Sequence, residues 1–152
     1  GLGNGVPISA VVAKESVFEE YFEKSNGKFV FSTYGANPLA CAAAIEVLNV
    51  IDDDKIMKNS LECGELVRKE LNKLQKEHSN LILDVRGEGL MNGIELNVRY
   101  ADTIFENLKD NLFLVGLGGE NKNVLRFMPP MCITKENVKH FIEIFKYELE
   151  KI

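Results

Sequence analysis

Three features of this 152-residue chain combine residue types and spacings that can bind an anion. The first is Ser32-Thr33-Tyr34-Gly35-Ala36-Asn37-Pro38, two adjacent hydroxyls directly ahead of an Asn-Pro helix start. Free N–H groups and the positive end of a helix dipole favour an anion at such a place. The plainer alternative is that both hydroxyls hydrogen-bond a turn. The second is Arg126, inside the apolar run Val124-Leu125-Arg126-Phe127-Met128. Strand alternation sets its guanidinium opposite Leu125 and Phe127, where it is either a solvated surface group or a planar fork for a carboxylate. Arg86, between Val85 and Gly87, raises the same choice more weakly. The third is glycine: Gly1-x-Gly3-x-Gly5 and Gly116-Leu117-Gly118-Gly119. A dinucleotide fingerprint needs a strand before and a helix after. The first run has its strand afterwards and the second leads into a hairpin turn, so both read as loops. In the first, glycines let the backbone pass close beside a bound group.

Other chemistry is poorly supported. Cys41, Cys63 and Cys132 form no CxxC, and the only histidines, His78 and His140, fall on polar helix faces. A structural zinc site is not expected from that set. A sparse, odd number of cysteines suits a reducing cytoplasm. Lys14 has no neighbour that would depress its pKa and reads as solvated. Lys+Arg 18 against Asp+Glu 23 leaves a net charge of −5, a poor match to nucleic acid or an anionic membrane surface. No apolar run reaches the roughly 20 residues that cross a bilayer. The 45% hydrophobic and 27% charged composition is that of a soluble globular chain.

The elements that must position these residues change character near Leu81. Ahead of it come a short apolar strand over Pro7–Ala13, a helix over Glu15–Glu23, a turn at Ser25-Asn26-Gly27 and an extended Lys28–Ser32. Asn37 as N-cap with Pro38 at the first helical position then opens an Ala-rich helix, apolar almost all round and so expected to be buried on several sides. Asp52-Asp53-Asp54 interrupts and recaps. Cys63, Val67, Leu71 and Leu74 mark one face of an amphipathic helix ending near His78. Beyond Leu81, strands over Leu81–Val85 and Leu90–Leu96 are joined through Arg86–Gly89. A helix over Ala101–Leu108, strands over Leu112–Leu117 and Val124–Phe127, and a Thr134-capped helix with Val138, Phe141, Ile142, Phe145 and Leu149 inward complete an α+β unit. The first half, with one strand and one long helix, cannot bury itself. With no initiator Met, the chain is expected to be a segment of a larger α/β protein, or a subunit of an assembly.

Together these pieces resemble the C-terminal part of class III aminotransferases, pyridoxal-phosphate enzymes of fold type I. The resemblance rests on Gly-Leu-Gly-Asn-Gly-Val-Pro-Ile-Ser-Ala from residue 1 and Ser-Thr-Tyr-Gly-Ala-Asn-Pro-Leu-Ala-Cys from residue 32. Asp-Val-Arg-Gly-Glu-Gly-Leu-Met from residue 84 and Leu-Arg-Phe-Met-Pro-Pro from residue 125 complete it. Within the class it is most similar to the acetylornithine aminotransferases, then to the ornithine enzymes.

The resemblance implies an α/β fold in which 1–50 end the large domain and begin the interdomain helix, 51–80 form the connecting helix, and 81–152 form a small α+β domain. It implies that Thr33 binds the cofactor phosphate across a homodimer interface, that Ser32 lies beside cofactor and substrate, and that Arg126 grips the substrate α-carboxylate. The Schiff-base lysine of the family motif would stand immediately before Gly1, so this chain alone is expected to be inactive without the N-terminal part. The family's usual glycines are Asn4 and Ser9 here, and its His-Gly pair is Val30-Phe31. The implied activity is cytoplasmic amino transfer between N-acetylornithine and 2-oxoglutarate in arginine biosynthesis. Ornithine or another ω-amino acid is the alternative donor. An alternative of another class is a non-catalytic α+β interaction or regulatory module over 81–152.

Overall fold

The computed structural model describes residues 1–26, 32–53 and 55–152, and the chain divides into two compact units, Gly1–Asp54 and Lys55–Ile152.

The first unit opens with a tight glycine turn in which the amides of Asn4 and Val6 donate to the carbonyls of Gly1 and Gly3. Gly3 lies so close to the Val6 carbonyl that a Cβ there would collide with backbone. The strand expected over Pro7–Ala13 is not formed; residues 7–14 have no regular structure, and Val12 is 93% exposed. A strand needs a ladder partner, and the described residues of this unit supply none. Helix α1 (Glu15–Lys24) forms where expected. The expected extended stretch at Lys28–Phe31 lies outside the described residues, and Ser32 is in no regular element.

Helix α2 (Pro38–Asp53) starts as its Asn-Pro sequence requires, the Asn37 Oδ1 accepting from the amides of Leu39 and Ala40 at 3.0 and 3.2 Å. Burial on several sides is not found: only Ala40 and Ala44 are buried, while Leu39, Ile45 and Leu48 stand exposed. The unit has too few elements to cover an all-apolar helix.

The second unit is self-sufficient. Helix α3 (Ile56–Glu77) has Lys55 as its N-cap rather than an aspartate, with a left-handed φ of 53° and a side chain that caps nothing. Its Cys63, Val67, Leu71 and Leu74 are buried as the four-residue spacing requires. Strands β1 (Ile82–Glu88) and β2 (Met91–Leu96) pair antiparallel. β1 runs three residues beyond the expected end, so Arg86 belongs to a strand rather than to the connection, and the turn tightens to Gly89-Leu90. Helix α4 (Val98–Asp110) follows, capped by Asn97. Strand β3 (Gly116–Gly118) is shorter than the expected Leu112–Leu117, with Leu112 and Leu114 exposed; strand β4 (Val124–Phe127) is as expected. Helix α5 (Lys135–Glu150) carries a reciprocal capping box between Thr134 and Asn137.

The sheet order is β1-β2-β4-β3, antiparallel throughout. Ile94, Leu125 and Phe127 face a core shared with α3, α4 and α5, where the Phe127 and Phe141 rings lie 4.3 Å apart and Phe141 stacks on Phe145. The buried Glu148 carboxylate accepts from the Asn107 and Asn111 amides and from Lys151, which joins α4 to α5.

Candidate active site

One face of the sheet makes the core, so alternation sends every second side chain to the other face. The register aligns Arg86, Gly93, Arg126 and Gly116 in one row across all four strands. The adjacent row is Asp84, Glu95, Val124 and Gly118.

The two arginines of the first row differ in their surroundings. Arg86 Nη1 donates to Asp84 Oδ2 at 2.6 Å and to Glu95 Oε2 at 2.8 Å. Those two carboxylates, Asp84 first, push the Arg86 pKa further above its ordinary value. Arg126 has no ion-pair or hydrogen-bond partner among the described residues and is exposed. Its guanidinium lies across bare backbone: a Cβ on Gly116 would sit 3.0 Å from both Nε and Nη2, and one on Gly118 3.5 Å from Nε. Arg126 is therefore a charged fork with open valences, held flat on a glycine strip.

Both arginines line a cleft of about 960 Å³ with the Gly87–Gly89 turn, Leu61, Met91 and Met128. Its rim is fixed from beneath. Arg68 Nη1 donates to the Gly89 carbonyl at 2.9 Å and to Asn92 Oδ1 at 3.0 Å. Gly64 of α3 approaches Gly89 so closely that any side chain would enter its carbonyl. On the far side, the Asn59 amide donates to the carbonyls of Met131 and Ile133 at 2.8 and 3.0 Å, tying down the segment after Pro129-Pro130. Glu62 and Lys135 pair beside it at 2.8 Å; the bond to Lys135 lowers the Glu62 pKa and raises that of Lys135.

Ser32 and Thr33 lie together in the first unit, both exposed, in the turn that leads to α2. The Gly35 amide donates to the Ser32 carbonyl at 3.1 Å, and Ala36 takes a left-handed φ of 56°. The expectation of free amides at the helix start is corrected. Asn37 satisfies Leu39 and Ala40 through its side chain and Cys41 through its carbonyl, and Pro38 has no N–H. The helix contributes its dipole, while an anion here must be held by hydroxyls and turn amides. An exposed hydroxyl pair ahead of a 16-residue helix suits a phosphate tail on donor chemistry.

Among the described residues no group of three His, Cys, Asp or Glu side chains could hold a metal, and no helix is long and apolar enough to cross a membrane. Sequence reasoning missed Asp84, Glu95 and Gly93, and it read Gly116 and Gly118 as a loop where they form β3. The available signal was the i, i+2 spacing of Asp84 and Arg86, which shares a face once β1 extends through Arg86.

The model of the family aminotransferase class-III matches residues 1–149. The chain belongs to the class III aminotransferases. These are pyridoxal-phosphate enzymes, and the class III chain has the α/β character of the C-terminal portion of fold type I. It is 37% identical to an acetylornithine aminotransferase of Synechocystis sp., over 96% of this chain and 33% of that protein. It is 34% identical to alanine–glyoxylate aminotransferase 2 homolog 2, mitochondrial, of Arabidopsis thaliana, over 100% of this chain and 33% of that one. The solved phospholyase from Arthrobacter in complex with phosphoethanolamine superposes with a TM-score of 0.90 at 26% identity, covering 99% of this chain and 37% of that one. The class III chain thus spans about a third of the length of the curated relatives it matches.

Proposed function

We propose that these residues form the C-terminal part of an acetylornithine-type aminotransferase, which moves an amino group between N-acetylornithine and 2-oxoglutarate in arginine biosynthesis, in the cytoplasm. In this reading residues 1–50 end the cofactor domain and begin the interdomain helix, 51–80 connect, and 81–152 form the small domain. The observation that carries it is Arg126: a guanidinium without a partner among the described residues, laid on glycine backbone inside a cleft, matches a planar carboxylate in shape and charge.

Each residue has a stated part. Thr33 and Ser32 would hold the cofactor phosphate, with the α2 dipole favouring its charge and Ser32 also beside the substrate. The cofactor, when bound, supplies an electron sink at the amine-bearing carbon. Arg126 fixes the substrate by its carboxylate, which turns a diffusing amino acid into an oriented one. Leu61, Met91 and Met128 give that ion pair an apolar border along the cleft. A homodimer in which Thr33 of one copy serves the site of the other, and an N-terminal part carrying the Schiff-base lysine, complete the reading.

The test is Arg126→Lys in the whole protein. KM for the amino-acid donor should rise about tenfold or more, because a point charge replaces a bidentate fork, while unfolding is unchanged. An unchanged KM would sink the assignment. In this reading the family lysine belongs to the N-terminal part, so the 152 residues alone should give no borohydride-reducible visible band with pyridoxal phosphate. Ornithine or another ω-amino acid would use the same residues, and steady-state rates with each donor choose among them.

A further inference from the structure

The outer face of the sheet holds two arginines in one row with only Gly93 between them, yet it presents one usable charge. Arg86 and Arg126 sit two strands apart, so their Cα atoms are separated by roughly 10 Å, and two side chains of that length can converge on one small molecule. Arg86 is held back. Its Nη1 carries both Asp84 and Glu95, at 2.6 and 2.8 Å, so the group beside that end of the cleft holds two carboxylates on one guanidinium and is net negative. Glu88 on the rim adds to it. We infer that Asp84 and Glu95 set the charge selectivity of this cleft: by occupying Arg86 they leave Arg126 as the sole seat for a carboxylate and exclude a second one. The inference rests on Arg126 being the carboxylate residue of the proposed function, and it adds the substrate end this cleft accepts. One carboxylate enters here, and the second carboxylate of a dicarboxylate has to be met by residues outside 55–152.

The Asp84 side chain is 51% exposed and that of Glu95 35%, so neutralising them leaves the fold intact. The experiment titrates the 15N-labelled 152-residue chain with butyrate and with glutarate at constant ionic strength, reading the Nε–H signals of Arg86 and Arg126. In the unaltered chain both ligands should move Arg126 and neither should move Arg86. In Asp84→Asn/Glu95→Gln, glutarate should move both signals and bind about tenfold tighter than butyrate, as one added guanidinium–carboxylate contact allows. Adding Arg86→Met should remove that gain, and Glu95→Gln alone should show part of it. Movement of Arg86 by glutarate in the unaltered chain, or an unchanged glutarate-to-butyrate ratio in the double variant, overturns the inference and leaves the function standing. An Arg126 signal that responds to neither ligand in any of these proteins overturns both.

Discussion

Residues 55–152 and residues 1–54 use similar apolar residues to opposite ends. In the second unit a four-stranded sheet and three helices enclose one another, and Val67, Leu71, Ile94, Leu125 and Phe145 are all fully buried. In the first, α2 is richer in apolar residues than any other helix yet buries only two alanines. The difference teaches where stability resides and on what each proposed binding group stands. The arginine site stands on a platform that its own unit holds rigid, while the hydroxyl pair precedes a helix whose apolar flank awaits other surfaces.

The contrast can be broken most directly by truncation. Leu71→Ala in α3 should cost about 3–4 kcal/mol, since it removes a fully buried side chain and leaves a cavity. Ile45→Ala in α2, at a 60% exposed position, should stay within about 0.5 kcal/mol. Urea unfolding of both variants measures the gap, and equal losses would show that the first unit has a core of its own. Gly64→Ala should cost about 2–3 kcal/mol, because the new methyl meets the backbone carbonyl of Gly89 and cannot be relieved by a rotamer change. Its chemical-shift changes should centre on Gly87–Asn92. Thr134→Ala, which opens the capping box of α5, should lower stability by about 1 kcal/mol in the same unfolding assay.

The smallest effect is electrostatic. Glu62 has its folded pKa depressed by Lys135, so its contribution is present above the ordinary carboxylate pKa and is lost as pH falls through the depressed one. Lys135→Met should therefore lower the melting temperature slightly at neutral pH, and the difference from the unaltered protein should vanish as pH falls through the depressed pKa. A larger change in acid than at neutral pH would contradict that sign.

What was legible in the sequence follows from which signals are local. The Asn37-Pro38 start, the Thr134 cap and the spacing of Cys63, Val67, Leu71 and Leu74 specify helices by short-range rules, and those helices form. Pro7–Ala13 has the composition of a strand, but a strand is a property of a pair, and no partner is available among the described residues. The length of β1 was hidden because Arg86-Gly87-Glu88 looks like a turn until the register with β2 is known. Arg126 was visible as an oddity, a charge in an apolar run. That it has no partner among the described residues while Arg86 is clamped depends on cross-strand neighbours nine residues apart, Arg86 and Glu95, which periodicity along one strand cannot report. The motif resemblance reached the family independently of these contacts, and the family match over residues 1–149 agrees with it.

Asn37 closes the start of α2 with its own side chain and carbonyl. Folding of that helix is thereby uncoupled from whatever the preceding hydroxyls grasp. Ser32 and Thr33 can be exchanged, lost or regained with little penalty to the scaffold, so the anion site proposed for this corner could drift or be engineered without the helix unravelling.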